Sequence, residues 1–379
     1  MIKIGIIAEF NPFHNGHLYF INKIKEMYPE SFITLVMSTN FTQRGEFSFL
    51  TKWDKTRISL NNNIDLVIEL AFYFATQSSD TFAKTAVSIL EYLDMDYLIF
   101  GSESNDIKTL TTLASTAIFN KEYDKLVKEY LKTGNSYPSS VSKALFNLTN
   151  INLIDSNDIL GVSYIKAILL NDYKIKPLCI KRTNSYLNKQ TTGTISSATS
   201  IRELFINNKD YKDFIPNDTY KLMNIDKNYI NNYFNILKYK LISEIDELDI
   251  YLDVNEGIDK KIKKVILNVT SYQELLNKLK SKRYTYNKLN RMFLHILLNI
   301  KKSDSYDIKY IRVLGFNEMG RKYIKKMKEE ITLPIITNYR ETTDLVLDIE
   351  KIATILYLNI TNRSHLIKEE LMSAPISKN

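Results

Sequence analysis

Two histidines lie three residues apart in the segment Glu9-Phe10-Asn11-Pro12-Phe13-His14-Asn15-Gly16-His17. A strand-like apolar run precedes this segment and a helical pattern begins at Gly16, so both imidazoles are predicted to lie at a helix N-terminus. Backbone N–H groups and the positive end of the helix dipole favour phosphate there, and glycine lets the backbone approach a ligand closely. The segment therefore predicts a phosphate-binding site. The structural alternative is a pair of histidines that only cap the helix, and a zinc site is disfavoured because no third histidine or cysteine accompanies them.

A second polar segment, Ser196-Ser197-Ala198-Thr199-Ser200-Ile201-Arg202, leads into another helical pattern. Serine and threonine are ordinary N-cap residues, which is the structural alternative for this segment. Arginine can instead hold phosphate oxygens in a bidentate fork, with hydroxyl and backbone N–H groups completing the contact. Together with the histidines, Arg202, Ser196, Ser197 and Thr199 predict a second phosphate clamp.

The elements that must position these residues follow an alternating pattern in the first half of the chain. Short apolar runs, typical of strands buried on both faces, alternate with helical patterns, and this order predicts a parallel sheet covered by helices. Ligands bind such a sheet beyond the carboxyl ends of its strands. The predicted strands are Ile2–Ala8, Phe32–Met37, Leu66–Leu70, Tyr97–Phe100 and Pro177–Ile180, and the predicted helices are Gly16–Met27, Trp53–Asn62, Thr81–Leu93, Ile107–Phe119, Tyr123–Leu131, Ser140–Leu148 and Ile159–Leu170.

From about Ile201 onward the pattern becomes mainly helical. We therefore expect an α/β fold with two domains: a Rossmann-like domain at 1–205, and a mainly α-helical domain at 206–379. The helices predicted in the second part are Ile236–Glu247, Tyr272–Lys280, Tyr286–Ile300 and Glu318–Glu330, with brief strands or loops at Tyr310–Leu314 and Pro334–Thr337.

Charge is concentrated in one part of the second domain. The 379 residues carry 51 Lys and Arg against 43 Asp and Glu, a net charge of +8. Residues 260–328 alone contain 19 basic and four acidic residues, a local charge of +15. Such a local excess favours an anionic partner over a merely solvated face. The residues chosen to represent this surface are Lys260, Lys261, Lys282, Arg283, Lys325 and Lys326.

The composition is that of an ordinary globular protein, with 44% apolar and 25% charged residues. A single cysteine, Cys179, excludes an internal disulfide and a cysteine-based metal cluster, so a reducing cytoplasm is the expected location. No apolar run approaches the roughly 20 residues that span a bilayer, and no membrane association is predicted. No metal-ligand set is predicted either.

The two phosphate motifs together resemble those of the nucleotidyltransferase superfamily. The second motif is one residue longer here, and the chain has no Lys-Met-Ser-Lys-Ser element, which argues against an aminoacyl-tRNA synthetase. Longer strings, in the same order, resemble the bacterial tRNA(Met) cytidine acetate ligase family: Glu9 to His17, Met37-Ser38, Gln43 to Glu46, Lys52-Trp53, Asp65 to Leu70, Phe100 to Glu103, Asn157 to Gly161, Ser197 to Arg202 and Tyr310 to Phe316. One departure is Ser185-Tyr186-Leu187-Asn188, where the family often has Gly-Tyr-His-Asp.

This resemblance implies a two-step reaction. ATP activates acetate as acetyl-adenylate, and the acetyl group passes to N4 of the wobble cytidine in elongator tRNA(Met), without acetyl-CoA and with Mg²⁺ expected on the ATP. The resemblance implies that ATP lies against Ile7, Glu9, Phe10, Asn11, Pro12, Phe13, His14, Asn15, Gly16, His17, Phe20, Gly101, Asn157 and Arg182.

Roles follow from that reaction. His14, His17 and Arg202 are predicted to stabilise charge during catalysis, with Ser196, Ser197 and Thr199 assisting at the leaving pyrophosphate. The basic residues of 260–328 are predicted to bind the tRNA backbone. Glu103 is interpreted as a carboxylate favoured by a helix dipole, or as a group that orders the site or assists the amine. Spacing does not identify an acetate pocket.

Two other functions remain open at this point. A small-metabolite adenylyltransferase, acting for example on pantetheine phosphate or nicotinate mononucleotide, is the nearest enzymatic alternative, although such enzymes usually lack a large basic appendage. A non-catalytic, nucleotide-sensing RNA-binding module belongs to a different class. The intact histidines and Arg202 argue against it.

Overall fold

A computed structural model describes residues 1–182 and 195–378, in which helices cover both faces of an eight-stranded sheet. The strands are β1 (Lys3–Ala8), β2 (Phe32–Ser38), β3 (Leu66–Leu70), β4 (Tyr97–Ser102), β5 (Lys176–Lys181), β6 (Ile311–Phe316), β7 (Ile335–Ile336) and β8 (Ile376–Ser377). Their order is β5-β4-β1-β2-β3-β6-β7, with β8 also beside β6. Residues 183–194, which include the departure at Ser185 to Asn188, lie outside the described residues.

The helices of the first half are α1 (Asn15–Met27), α2 (Lys52–Asn61), α3 (Phe72–Ala75), α4 (Ser79–Tyr92), α5 (Ile107–Phe119), α6 (Tyr123–Lys132), α7 (Tyr137–Thr149), α8 (Ser156–Leu170) and α9 (Ala198–Ile206). Those of the second half are α10 (Asn217–Leu222), α11 (Tyr229–Ser243), α12 (Ile258–Val265), α13 (Tyr272–Leu279), α14 (Tyr286–Leu297), α15 (Glu318–Glu330), α16 (Leu345–Ile360) and α17 (Ile367–Met372). None of these described helices is long and apolar enough to cross a membrane.

The five strands of the first half confirm the predicted parallel sheet. β1 pairs with β2 and with β4, β2 with β3, and β4 with β5, all in parallel. The strands β2 and β3 are buried along their whole length, which explains their continuous apolar sequences. The chain leaves β1 toward β2 on one side and returns to β4 on the other, so a crevice opens at the carboxyl ends of β1 and β4.

The second half of the chain contributes to the same sheet. β6 runs antiparallel to β3, with Leu66 opposite Phe316, and β7 and β8 each pair in parallel with β6. The uncertain segment Tyr310–Leu314 is therefore a strand. The α/β class is confirmed, while the division at residue 205 stays a prediction, since the sheet continues across it.

A buried group of charged side chains joins the two halves beneath this added strand. Lys52 Nζ lies 2.6 Å from Glu370 Oε1 and 3.3 Å from oxygens of both Glu69 and Glu350. Arg312 Nη1 donates to Glu69 Oε2 over 3.0 Å. All five side chains are at most 5% exposed. We call these five residues the Lys52 cluster. Buried charges require such pairing, because each alone is costly to remove from water.

Candidate active site

The predicted histidine segment forms the turn between β1 and α1. His14 is the N-cap residue: its Nδ1 accepts the Gly16 N–H over 3.0 Å. His17 Nδ1 accepts the His14 N–H over 3.2 Å, which completes a reciprocal capping box. The two imidazoles stack with ring centroids 3.7 Å apart. Both histidines therefore cap the helix, as the structural alternative expected, but they do so through Nδ1 alone.

The protonation state of the two imidazole rings determines whether their Nε2 atoms can donate hydrogen bonds. Burial lowers the pKa of His14 to about 3, and the cations Arg182 and Arg202 act in the same direction. Burial, His14 and Arg182 likewise hold the pKa of His17 well below its usual value. Both rings are thus neutral near pH 7, and because each Nδ1 accepts a hydrogen bond, the proton of each lies on Nε2. The turn presents two neutral Nε2–H donors.

Gly16 is required by the same packing. A Cβ atom at this position would lie 2.8 Å from Cε1 and 3.0 Å from Nδ1 of His14. Any side chain here would displace the capping imidazole.

The second predicted motif meets the first. Ser197 Oγ caps α9 by accepting the Ser200 N–H, so the structural alternative for this serine is realised. Arg202, one turn into α9, donates through Nη1 to the Asn11 carbonyl over 2.7 Å and through Nη2 to Glu46 Oε2 over 2.9 Å. Thr199 Oγ1 lies 3.4 Å from the same Nη2, and Ser196 is buried just before the helix. Arg202 thus lies beside the histidine turn.

Gly101, Asn157 and Arg182 come together at the ends of β4, α8 and β5. Arg182 Nη1 donates to Asn157 Oδ1 over 3.3 Å. A Cβ atom on Gly101 would lie 3.2 Å from Arg182 Cγ, so glycine leaves room for that side chain. These three predicted ATP residues therefore form one group on the β4 side of the histidine turn.

Glu103 holds this group in place. Its carboxylate accepts from Asn157 Nδ2 and from the Asp158 N–H, and it lies 3.9 Å from Arg182 Nε. The next helix along the chain, α5, is capped by Asp106 instead. The dipole that Glu103 faces is therefore that of α8, and the carboxylate also orders two predicted ATP residues.

Other residues of the predicted ATP segment support the turn from within. Asn11 donates through Nδ2 to the Phe47 carbonyl and accepts the Phe49 N–H through Oδ1. Phe10 and Phe13 pack edge to face with centroids 4.9 Å apart. Pro12 is buried, and Ile7, Asn15 and Phe20 are partly buried. Glu9 Oε1 accepts the Gln43 N–H over 2.6 Å, and burial raises the pKa of this carboxyl.

Lys55 is a structural contributor that the sequence did not reveal. This lysine of α2 is fully buried, and its Nζ donates to the carbonyls of Glu9, Ser38 and Thr39. Those carbonyls lie at the carboxyl ends of β1 and β2, so one amino group joins the two loops at the site. Burial lowers the pKa of Lys55 to about 7. No local signal identifies it, because its partners lie 16 to 46 residues away.

We expect Lys55→Met to lower the free energy of unfolding by about 1–3 kcal/mol, because buried carbonyls lose their hydrogen-bond donor. Acetate-dependent exchange between pyrophosphate and ATP should slow as well, since the histidine turn loses its anchor. Chemical denaturation and the exchange assay measure the two effects. Lys23→Met, on the outer face of α1, is the matched control. Equal values for both variants would contradict this role for Lys55.

The six basic residues lie on two separate parts of the fold. Lys260 and Lys261 belong to α12, and Lys282 and Arg283 to the turn between α13 and α14, whereas Lys325 and Lys326 lie on α15 against β6. All are exposed except Lys261, which is partly buried and donates to the Leu279 carbonyl. Arg283 pairs with Glu256, and Lys326 with Glu330. A role in tRNA binding stays a prediction for all six.

The fold and this site define a nucleotidyltransferase of the His-x-Gly-His class. Residues 1–371 match the protein family described as "HIGH Nucleotidyl Transferase". The chain belongs to the tRNA(Met) cytidine acetate ligase family. It is 35% identical to the Anoxybacillus flavithermus enzyme of that name, over 99% of this chain and 100% of the relative. It is 39% identical to the Caldicellulosiruptor saccharolyticus enzyme, over 87% and 86% of the two chains.

Solved structures agree with this assignment. The apo form of Thermotoga maritima TmcAL is similar with a TM-score of 0.89, and the form bound with alpha-thio ATP with a TM-score of 0.87. Both are 30% identical in sequence and cover 100% of this chain and 99% of their own. The family predicted from the sequence is confirmed.

Proposed function

We propose that this chain is an ATP-dependent ligase that activates acetate as acetyl-adenylate and transfers the acetyl group to N4 of the wobble cytidine of elongator tRNA(Met). Family membership supports the reaction. The observation that carries it in this molecule is the position of Arg202, which donates to the Asn11 carbonyl of the turn that holds His14 and His17 at the carboxyl end of β1.

In the first step an acetate oxygen attacks the α-phosphorus of ATP and pyrophosphate departs. The protein supplies positioning and charge stabilisation, and no covalent enzyme intermediate is needed. The neutral Nε2–H groups of His14 and His17 donate to phosphate oxygens as negative charge develops. Arg202, with Ser196, Ser197 and Thr199, stabilises the departing pyrophosphate, while Gly101, Asn157 and Arg182 hold ATP on the β4 side of the turn.

Mg²⁺ is expected to enter with ATP and to neutralise its phosphate charge. Among the described residues no group of three His, Cys, Asp or Glu side chains could hold a metal ion. Phosphate and water oxygens would then supply most of the ligands, as is common for Mg²⁺.

In the second step the cytidine amine attacks the acetyl carbonyl. The new N–C bond forms as the bond to the AMP oxygen breaks, AMP leaves with the electron pair, and the amine loses one proton. Because ATP supplies the activation, acetyl-CoA is not required. The proposed partners are acetate and tRNA, with a cytoplasmic location for the reaction.

Incubation of the enzyme with ATP, labelled acetate and tRNA, followed by nucleoside analysis, tests the proposal. N4-acetylcytidine is the expected product. Adenylylation of a small metabolite without modified tRNA would support an adenylyltransferase instead, and tRNA binding without turnover would support a sensing module.

Neutralising the basic pairs should weaken tRNA binding and flatten its dependence on salt. For Lys260/Lys261, Lys282/Arg283 and Lys325/Lys326, each lost phosphate contact is expected to reduce the slope of log affinity against log salt by roughly one. Acetate activation without tRNA should persist. Binding measured across a salt series tests each pair separately, which matters because α15 lies apart from the other two sites. A pair with unchanged affinity and slope does not contact the RNA.

A further inference from the structure

The hairpin at residues 41–47, between β2 and α2, has a well-fixed backbone. An antiparallel bridge joins Phe41 to Phe47 at its base. Within it, the Glu46 carbonyl accepts the Thr42 N–H over 2.9 Å, and Thr42 Oγ1 accepts the Glu46 N–H over 3.1 Å. Gly45 has a φ of 73°, a left-handed conformation that glycine adopts without strain. These contacts fix the backbone from which the Glu46 side chain extends.

Gly45 also brings the hairpin into direct contact with α14. A Cβ atom on Gly45 would lie 2.6 Å from the Arg291 backbone nitrogen and 2.7 Å from the Asn290 carbonyl carbon. Backbone atoms within a helix cannot move aside as the end of a flexible side chain can. Any side chain at position 45 would therefore push the hairpin away from α14, the helix that follows the basic turn at Lys282 and Arg283.

A second connection between α14 and the hairpin runs through the loop after α3. His295 of α14 is fully buried, and its Nε2 donates to the Thr76 carbonyl over 2.8 Å, since a carbonyl oxygen can only accept. The carbonyl of the next residue, Gln77, accepts from Gln43 Nε2 in the hairpin over 2.6 Å. The helix α14 thus supports the hairpin at two points.

The hairpin presents its one acidic side chain to Arg202. Glu46 Oε2 accepts from Nη2 over 2.9 Å, while the Asn11 carbonyl accepts from Nη1 over 2.7 Å. Two acceptors from different loops, one on each terminal nitrogen, fix the plane of the guanidinium. Contacts with the described residues, Thr199 included, use three of the five N–H donors of an arginine, so two are left for phosphate oxygens.

Such a hold matters because catalytic donors act best when they are already in place. Arginine has many rotamers, and ordering it during the reaction would cost side-chain entropy. A donor that is aimed in advance at the developing charge avoids this cost. The Arg202 side chain is 15% exposed and that of Glu46 is 34% exposed, so water screens this pair less than it would a pair on the open surface.

We infer that Glu46 is a positioning residue for Arg202, and that the hairpin transmits the placement of α14 to this guanidinium. The inference rests on the proposed function, because it concerns the arginine assigned to the departing pyrophosphate. It gives the second half of the chain a part in acetate activation that is separate from tRNA binding.

Kinetics of the Glu46 variants test the positioning role. Glu46→Ala should lower the kcat of acetate-dependent exchange between pyrophosphate and ATP by about ten- to a hundredfold, the effect of a small misplacement of a catalytic group, and should raise the KM for pyrophosphate. Glu46→Gln should recover most of the rate, because its amide oxygen can accept the same N–H. The control is Glu203→Ala, which removes an exposed carboxylate from the next position of α9 and should change neither parameter.

A double-mutant cycle shows whether Glu46 acts through Arg202. In an Arg202→Ala enzyme, Glu46→Ala should cause no further loss beyond about twofold. Additive losses would overturn the positioning role. A lower rate of Glu46→Ala with an unchanged KM for pyrophosphate would overturn it as well, since this is the result of a smaller folded fraction.

Gly45→Ala tests the link to α14 and should lower the exchange rate in the same way as Glu46→Ala. Gly134→Ala is the matched control, because Gly134 is also left-handed, with a φ of 87°, but no described atom lies within 4 Å of the Cβ it would gain. Gln43→Ala removes the second connection without a clash and should lower the rate too.

An unchanged rate in Gln43→Ala, or equal rates in folded Gly45→Ala and Gly134→Ala enzymes, would overturn the link. An unmodified enzyme without acetate-dependent exchange would instead refute the proposed function.

Discussion

His14→Asn is expected to slow acetate-dependent exchange of pyrophosphate into ATP by about a hundredfold or more, the usual effect of losing one preorganised donor. Asparagine is a good N-cap residue, so its side chain can replace Nδ1 as acceptor of the Gly16 N–H. It has no group at the position of Nε2. The variant therefore keeps the helix cap and loses the proposed phosphate donor. His17→Ala and Arg202→Ala should also show large losses.

The control for this experiment is His365→Asn, because His365 is exposed. Unfolding midpoints should be nearly equal for the two variants, and only His14→Asn should lose exchange activity. Near-normal rates in folded His14, His17 and Arg202 variants would show that the reaction occurs elsewhere.

The same histidine gives a pH prediction. Because the pKa of His14 is lowered to about 3, this ring becomes protonated only in strong acid. The Nε2–H donor is then present unchanged between about pH 5 and 8, and His14 should contribute no inflection to the exchange rate there. An inflection near pH 6.5 that disappears in His14→Asn would contradict the neutral state.

Lys52→Met should destabilise the protein by about 3–5 kcal/mol, as expected when one member of a buried ionic group is removed. Burial disfavours the charge of Lys52, but Glu370, Tyr339 and Glu69 outweigh that effect and raise its pKa well above the usual value. Methionine is similar in length to lysine but carries no charge. In the variant, Arg312 is the one cation that the Lys52 cluster retains for its three carboxylates. Chemical denaturation measures the loss.

Lys23→Met is again the control, since Lys23 pairs with Glu26 at the surface and surface pairs contribute about 0–1 kcal/mol. A second variant, Lys52→Met with Glu350→Gln, removes one of the stranded carboxylates. It should recover part of the stability. A loss no larger than that of Lys23→Met would show that the cluster is not held by charge.

The sequence predicted those features whose causes are local. The strand Leu66–Leu70 and the helices Ile107–Phe119 and Glu318–Glu330 agree residue for residue, because apolar periodicity and end signals lie within each segment. The helix expected at Ile236–Glu247 begins earlier, at Tyr229, and ends at Ser243. The strand β8 has only two residues, too few to show a period.

Contacts between residues far apart in the chain could not be predicted from the sequence. The two phosphate motifs were found because each carries its own pattern of residue types. Lys55, Glu46 and the Lys52 cluster consist of ordinary charged residues, and only the fold shows that Lys52 and Glu350 meet across 298 positions. A lysine or glutamate in a helix gives no sign that it is fully buried.

That long separation has a consequence for biosynthesis. Lys52 and Glu69 leave the ribosome well before Arg312, Glu350 and Glu370, which complete the Lys52 cluster. At roughly 5–20 residues per second, the 298 positions between Lys52 and Glu350 take about 15–60 s to translate. The Lys52 cluster can therefore close only after Glu370 has been synthesised, and β3 has an unpaired edge until β6 (Ile311–Phe316) is made. An unpaired strand edge is a template for wrong pairing, so we expect the buried charges and the exposed edge to be resolved together, late in folding.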